Sequence, residues 1–138
     1  MSRPMFIYSI GHSMCSSRID VADRATVIPA FDINCFYTNV SHAAALAVHN
    51  RAEWLFYSDL EHRTITRLSL TGNKKQETLT VNTGLVKGLA VDWLSDNLYW
   101  TDETEGVIYV SRMDGRYPVR LIENLADPRG IAVDPVKG

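Results

Sequence analysis

The four residues Leu46-Ala47-Val48-His49 return as Leu89-Ala90-Val91-Asp92 and again as Ile131-Ala132-Val133-Asp134, at steps of 43 and 42 residues. Self-similarity at a fixed period constrains a chain more tightly than composition does, because each copy must fold into the same unit and bury its apolar face on its neighbours. Between the first two copies the register extends well beyond the core string. Phe56-Tyr57-Ser58-Asp59 falls on Tyr99-Trp100-Thr101-Asp102, Ile65 on Ile108, and Gly72 on Gly115.

The clearest copy reads as four short strands divided by turn chemistry. Gly88-Leu89-Ala90-Val91-Asp92 is the first, and Ser95-Asp96-Asn97 turns the chain into Leu98-Tyr99-Trp100-Thr101. A polar turn over 103–106 leads into the third strand, 107–111, and Asp114-Gly115 supplies the positive φ of a tight hairpin before the fourth, 119–122. Pro118 has no amide hydrogen and is tolerated at a strand entry or a sheet edge, so the fourth strand is expected to lie outermost. Gly88, Ala90, Gly130 and Ala132 suit the first strand to a crowded central axis. Residues 42–47 are alanine-rich enough for a helix, yet the register assigns them to an inner strand. Four antiparallel strands per unit of this length, repeated without helical periodicity, predict an all-β chain folded as part of a β-propeller.

A net charge of -2, from 14 basic and 16 acidic residues, creates no single-sign field, so nucleic acid is not an expected partner. No apolar stretch approaches the ~20 residues of a membrane span, and the start of the chain is too short for a secretory signal. Cys15 and Cys35 could bridge in an oxidising compartment or pack as two small apolar side chains, and both readings stay open here.

The four histidines, His12, His42, His49 and His62, show no zinc-ligand spacing and read as solvated loop or strand-end residues. Asp59, Asp92, Asp102 and Asp134 each fall at a repeat-equivalent position and are explained by unit construction, not by a carboxylate pair or a calcium cage. With no nucleophile elbow and no phosphate loop, catalytic residues, metal ligands and cofactors are all expected to be none. Asn39-Val40-Ser41 satisfies the N-glycosylation rule.

Tyr99-Trp100-Thr101-Asp102, followed by Met113-Asp114-Gly115 and by the run from Asp127-Pro128-Arg129-Gly130 to Asp134-Pro135, resembles the class B (YWTD) repeats of low-density lipoprotein receptor relatives. The resemblance is clearest over 84–138. The copy at 43–83 is divergent, with Phe56-Tyr57-Ser58-Asp59 departing from the motif and His49 standing where the family usually has Asp. It implies a six-bladed propeller of which this chain holds about two to three four-stranded antiparallel blades. Residues 1–42 would be an opening blade, incomplete or irregular, with strands near 5–9 and 17–20, Thr26-Val27-Ile28-Pro29 completing it, and 32–41 irregular enough to be an insertion. Residues 43–83 and 84–127 would be two repeats, and 128–138 the first strand of a truncated next one, so the chain is expected to be a fragment.

The function implied by the resemblance is a non-enzymatic ligand-binding or structural module in the ectodomain of an endocytic or signalling receptor. Its partners would be an extracellular protein ligand or adjacent modules of the parent chain. A matrix scaffold propeller is the alternative, and a propeller hydrolase with an axial metal the third. In this reading Tyr99, Trp100, Thr101 and Asp102, with Tyr57 and Asp59, are structural. Glu61, His62 and Arg63, with Glu103 and Glu105 in the same loop of the next copy, are candidates for ligand contact. An open stack of blades leaves apolar faces and strand edges in water. The isolated chain is therefore expected to self-associate or bind an apolar fluorescent dye, and a sharp cooperative melt of a monomer would count against it.

Overall fold

Residues 5–18, 32–37, 39–72 and 75–137 are described by the computed structural model. They carry eleven strands and no helix, and the chain divides into two compact units, Met1–Val40 and Ser41–Gly138.

The first unit holds β1 (Met5–Ile10), β2 (Ser13–Arg18) and β3 (Asp32–Tyr37) in one antiparallel sheet of order β1-β2-β3. Gly11, at φ +55, makes the turn between β1 and β2 in a conformation that costs a glycine little. In the β2–β3 ladder Cys15 lies directly opposite Cys35, and the two sulfurs are bonded. Directly opposed residues of an antiparallel pair bring their Cβ atoms close, which gives the bridge its geometry. Of the two alternatives for these cysteines, the bridge is the one the fold adopts. The expectation of an irregular 32–41 is corrected, since Asp32–Tyr37 is a strand paired along its whole length with β2. Asp and Asn are depleted in strands, and their presence at 32 and 34 hid it. The Thr26-Val27-Ile28-Pro29 segment, like Ile19 and Asp20, lies outside the described residues.

The second unit contains two sheets of identical plan. One blade runs β4 (Ala43–His49), β5 (Trp54–Asp59), β6 (Thr64–Ser69) and β7 (Gln76–Val81). The other runs β8 (Val86–Asp92), β9 (Asn97–Asp102), β10 (Val107–Arg112) and β11 (Val119–Ile122), and each sheet keeps sequence order. Register prevails over alanine propensity at β4. The period is carried into the ladders, since Leu46 opposes Tyr57 where Leu89 opposes Trp100. Each inner strand also shifts register near its start, between Ala43 and Leu46 and between Val86 and Gly88. β11, which Pro118 precedes, is an edge strand as its composition requires.

Alternation places Phe56, Ile65 and Ala45 on one face of the first blade, packed with Val86, Leu89, Leu98 and Trp100 of the second. Phe56, Ile65 and Leu98 are fully buried, and each such side chain contributes roughly 1.5–3 kcal/mol. Trp100 stacks on Tyr109 with ring centroids 5.2 Å apart. At the far edge Tyr117, Val119, Leu121 and Ile122 are exposed.

Residues 128–137, expected within an inner strand over 128–138, carry none, and Ile131-Ala132-Val133-Asp134 is laddered to no other strand among the described residues. The segment is nevertheless seated at its start. Leu125 N donates to Gly106 O at 2.9 Å, and Thr101 Oγ1 donates to Arg129 O at 2.5 Å. A Cβ on Gly88 would overlap that Arg129 carbonyl and lie 2.9 Å from Thr101 Oγ1, so this inner-strand position needs the absence of a side chain. Among the described residues no helix is long and apolar enough to cross a membrane.

The bridge makes a direct prediction. Trypsin digestion without reductant should yield the peptide ending at Arg18 linked to the one ending at Arg51, and reduction should separate them. Free thiols at both positions in protein folded under oxidising conditions would refute the pairing.

Candidate functional site

The end of the second strand of each blade is where polar side chains converge. Asp59 is buried and accepts four backbone N–H groups, from Ser41 at 2.8 Å, His42 at 3.2 Å, Glu61 at 3.0 Å and His62 at 3.2 Å. The His62 ring donates a fifth bond at 2.8 Å. Burial pushes the Asp59 carboxyl up, but the bonds from the His62 ring and from the Ser41, His62 and Glu61 amides outweigh it and bring the pKa down to about 2. One carboxylate thus fastens both the entry to β4 and the β5–β6 turn. Asp102, in the equivalent place, accepts from Gly84 N at 2.8 Å and Glu105 N at 3.0 Å.

The residue before each carboxylate couples the blades. Ser58 Oγ donates to Val86 O at 2.7 Å while accepting from Ala45 N at 3.1 Å. Thr101 Oγ1 repeats the donation 43 residues later, to Arg129 O. Tyr57 is buried and donates to Gln76 Oε1 at 3.2 Å, and burial pushes its phenol up. Trp100 lies in the core between the blades, whereas half-buried Tyr99 pairs with Ala90 and Val110 on the opposite face.

At the other end of the inner strands, Asp92 Oδ1 accepts from Leu94 N and Ser95 N at 3.0 and 3.1 Å, and Asp134 Oδ1 accepts from Val136 N and Lys137 N at 3.1 and 3.3 Å. His49 occupies this place in the first blade, and its reading as a solvated residue is corrected, since it is 2 % exposed. Its Nδ1 accepts from Ala52 N at 3.0 Å, so the proton sits on Nε2, which donates to Asp96 Oδ1 of the next blade at 3.1 Å. The imidazole does the turn-closing work of the aspartate and adds a link between blades.

The loop candidates fall into two groups. Glu61, His62 and Arg63 form the exposed β5–β6 turn, with Arg63 at φ +55. In the β9–β10 turn, Glu103 is paired with Lys87 at 2.8 Å and Arg129 at 3.3 Å, and the Lys87 ammonium holds its carboxyl below the usual range. Glu105 accepts from Tyr109 Oη at 2.7 Å and pairs with Arg120. Glu103 is thereby committed to Lys87 of β8 and to Arg129, and the exposed charges of the β5–β6 turn are Glu61 and Arg63, with the His62 ring tied to Asp59.

Sequence reasoning missed a groove of about 420 Å³ between the two blades, lined by His49, Trp54, Arg67, Asp96, Met113 and Asp114. The Arg67 guanidinium lies 4.2 Å from the centre of the Trp54 ring, is paired with Glu77 at 2.6 Å, and donates to Met113 O at 3.2 Å. The signal available was His49 itself, the departure from the repeat. Among the described residues, no three His, Cys, Asp or Glu side chains gather as metal ligands would.

A family model for the low-density lipoprotein receptor repeat class B matches residues 96–135. Residues 96–135 are a class B repeat. The vitellogenin receptor of Solenopsis invicta is 32% identical over 106 residues, a match that covers 73% of this chain and 6% of that receptor. Among solved structures, a chain of a nidogen/laminin complex superposes with a TM-score of 0.82 at 24% identity, over 97% of this chain and 50% of that one. A gluconolactonase from Xanthomonas campestris superposes at 0.59 with 14% identity, over 86% of this chain and 46% of that one. At these identities the two structures share the fold alone. The chain spans about half of each solved chain and a small part of the receptor.

The Asp59–His62 pair has a defined pH window. Asp59 is depressed from 3.8 to about 2, so its contribution, on the order of 2 kcal/mol, is present above 3.8 and lost as pH falls towards 2. His62 is raised above 6.5, chiefly by its bond to Asp59, so its contribution is complete below 6.5 and lost as pH rises through the higher folded value. A proton NMR titration should find the His62 midpoint above 6.5, falling towards that value in Asp59→Asn. An unchanged midpoint would exclude the pair.

Proposed function

We propose that this chain is a non-enzymatic, protein-binding propeller module of an extracellular lipoprotein-receptor-like protein, in an endocytic role. The observation that supports it is the division of labour among its polar side chains. Ser58, Thr101, Asp59 and Asp102 are buried and engaged with backbone groups, while Glu61, His62 and Arg63 stand exposed on a turn that Asp59 holds rigid. A fixed backbone carrying varied charges suits recognition of a protein surface, because little ordering entropy remains to oppose binding. The vitellogenin receptor relative suggests a lipoprotein cargo as the ligand class.

The second reading, a matrix scaffold, is favoured by the likeness to the nidogen/laminin chain. The hydrolase reading has only fold-level likeness behind it, and the inner strands β4 and β8 present mainly Ala, Val and Leu.

The test is binding of the immobilised chain to purified vitellogenin and, in parallel, to laminin. Preference for vitellogenin, with a loss of about tenfold or more in a Glu61→Ala/Arg63→Ala variant, is expected for hot-spot contacts. Preference for laminin would replace the receptor reading by the scaffold one. Binding to neither, or an unchanged affinity in the variant, would remove this turn as the contact.

A further inference from the structure

Asn39-Val40-Ser41 is the single Asn-x-Ser/Thr triplet among the seven asparagines of the sequence. Its three residues have different settings. Val40 is buried, and its carbonyl is 2.7 Å from the Nδ1 of His12. The Ser41 amide is bonded to Asp59. Asn39 is exposed, in the connection after β3, at φ +56, a left-handed conformation that asparagine adopts more readily than most residues. A bulky hydrophilic addition is compatible with a folded domain only at such a surface loop position.

A second observation supplies the compartment. The Cys15–Cys35 bridge forms and persists where the environment is oxidising, as in the lumen of the secretory pathway, and N-linked transfer takes place in that lumen. We propose that Asn39 carries an N-linked oligosaccharide. The donor is a lipid-diphosphate-linked oligosaccharide. Nδ2 of Asn39 attacks the anomeric carbon, a C–N bond forms as the C–O bond to the diphosphate breaks, the amide gives up one proton, and the lipid diphosphate departs with the bonding pair. Ser41 supplies the hydroxyl that the transferase requires two residues beyond the acceptor.

The experiment is to secrete the chain from a eukaryotic cell behind a cleavable leader and, after reduction, to weigh the tryptic peptide that ends at Arg51. The expected result is a heterogeneous sugar-bearing mass that a peptide-N-glycosidase collapses to one species with Asp at position 39. Asn39→Gln and Ser41→Ala should abolish the glycopeptide, and Ser41→Thr should retain it. Secreted wild-type protein whose Asn39 is unmodified would overturn the proposal, whatever the folding of the variants, because the wild-type peptide alone carries that reading.

Discussion

A hydroxyl one residue before the end of each blade's second strand holds this architecture together. On the first blade, the register shift at the start of β4 draws the Ala45 amide to Ser58 Oγ, which in turn donates to the carbonyl of Val86 on the inner strand of the next blade. A buried carbonyl left without a partner costs about 1–3 kcal/mol, so one small side chain answers a local need and a neighbour's need together. Thr101 makes the same donation to Arg129, and there the inner strand approaches so closely that position 88 must be glycine. The spacing between blades follows from this contact, and the aromatic packing of Phe56 against Leu98 and Trp100 is arranged around it.

The adjacent carboxylate solves a different problem. A strand that ends in a tight turn exposes several amides at once, and a chain entering the sheet beside it exposes more. Asp59 and Asp102 gather both groups, so the turn and the entry are fixed by one side chain, and in the second blade that carboxylate sits so close to Gly84 that a Cβ there would overlap it. The first blade adds His62 to the carboxylate, whereas the second places Glu105 there and turns its charge outward to Tyr109 and Arg120. The construction is shared, and the electrostatics differ from blade to blade.

Period and alternation made most of the second unit legible before any coordinates. Strand order, the edge position of β11 and the strand at 43–49 follow from register, which overrode the helical leaning of Ala43-Ala44-Ala45 because only the strand buries the repeat's apolar face. What escaped was of two kinds. β3 and the disulfide depend on pairing between distant segments, and Asp32 and Asn34 point away from a strand by composition. His49 and the Arg67–Trp54 groove depend on which side chain replaces a repeat residue, and the period carries no information about replacements. The loop candidates were located by spacing, but that Glu103 is engaged by Lys87 and Arg129 is a matter of geometry.

This division bears on where recognition can lie in a class B blade. A contact that used the motif carboxylate would have to break several backbone bonds and expose amides that have no other partner, at a cost well beyond what one ligand hydrogen bond returns. The positions free to change are those whose backbone is held by the motif while their side chains reach water. In the first blade these are Glu61 and Arg63, flanking a His62 whose ring is bonded to Asp59, and 43 residues later the same places hold Thr104, Glu105 and Gly106. The exchange replaces a mixed-charge turn with an acidic one, in which Thr104 Oγ1 accepts from Leu85 N and a Cβ on Gly106 would overlap Leu125 O. A repeat built in this way can vary the charge it presents at that turn while Asp59 or Asp102 holds the backbone, within the limits those local contacts set.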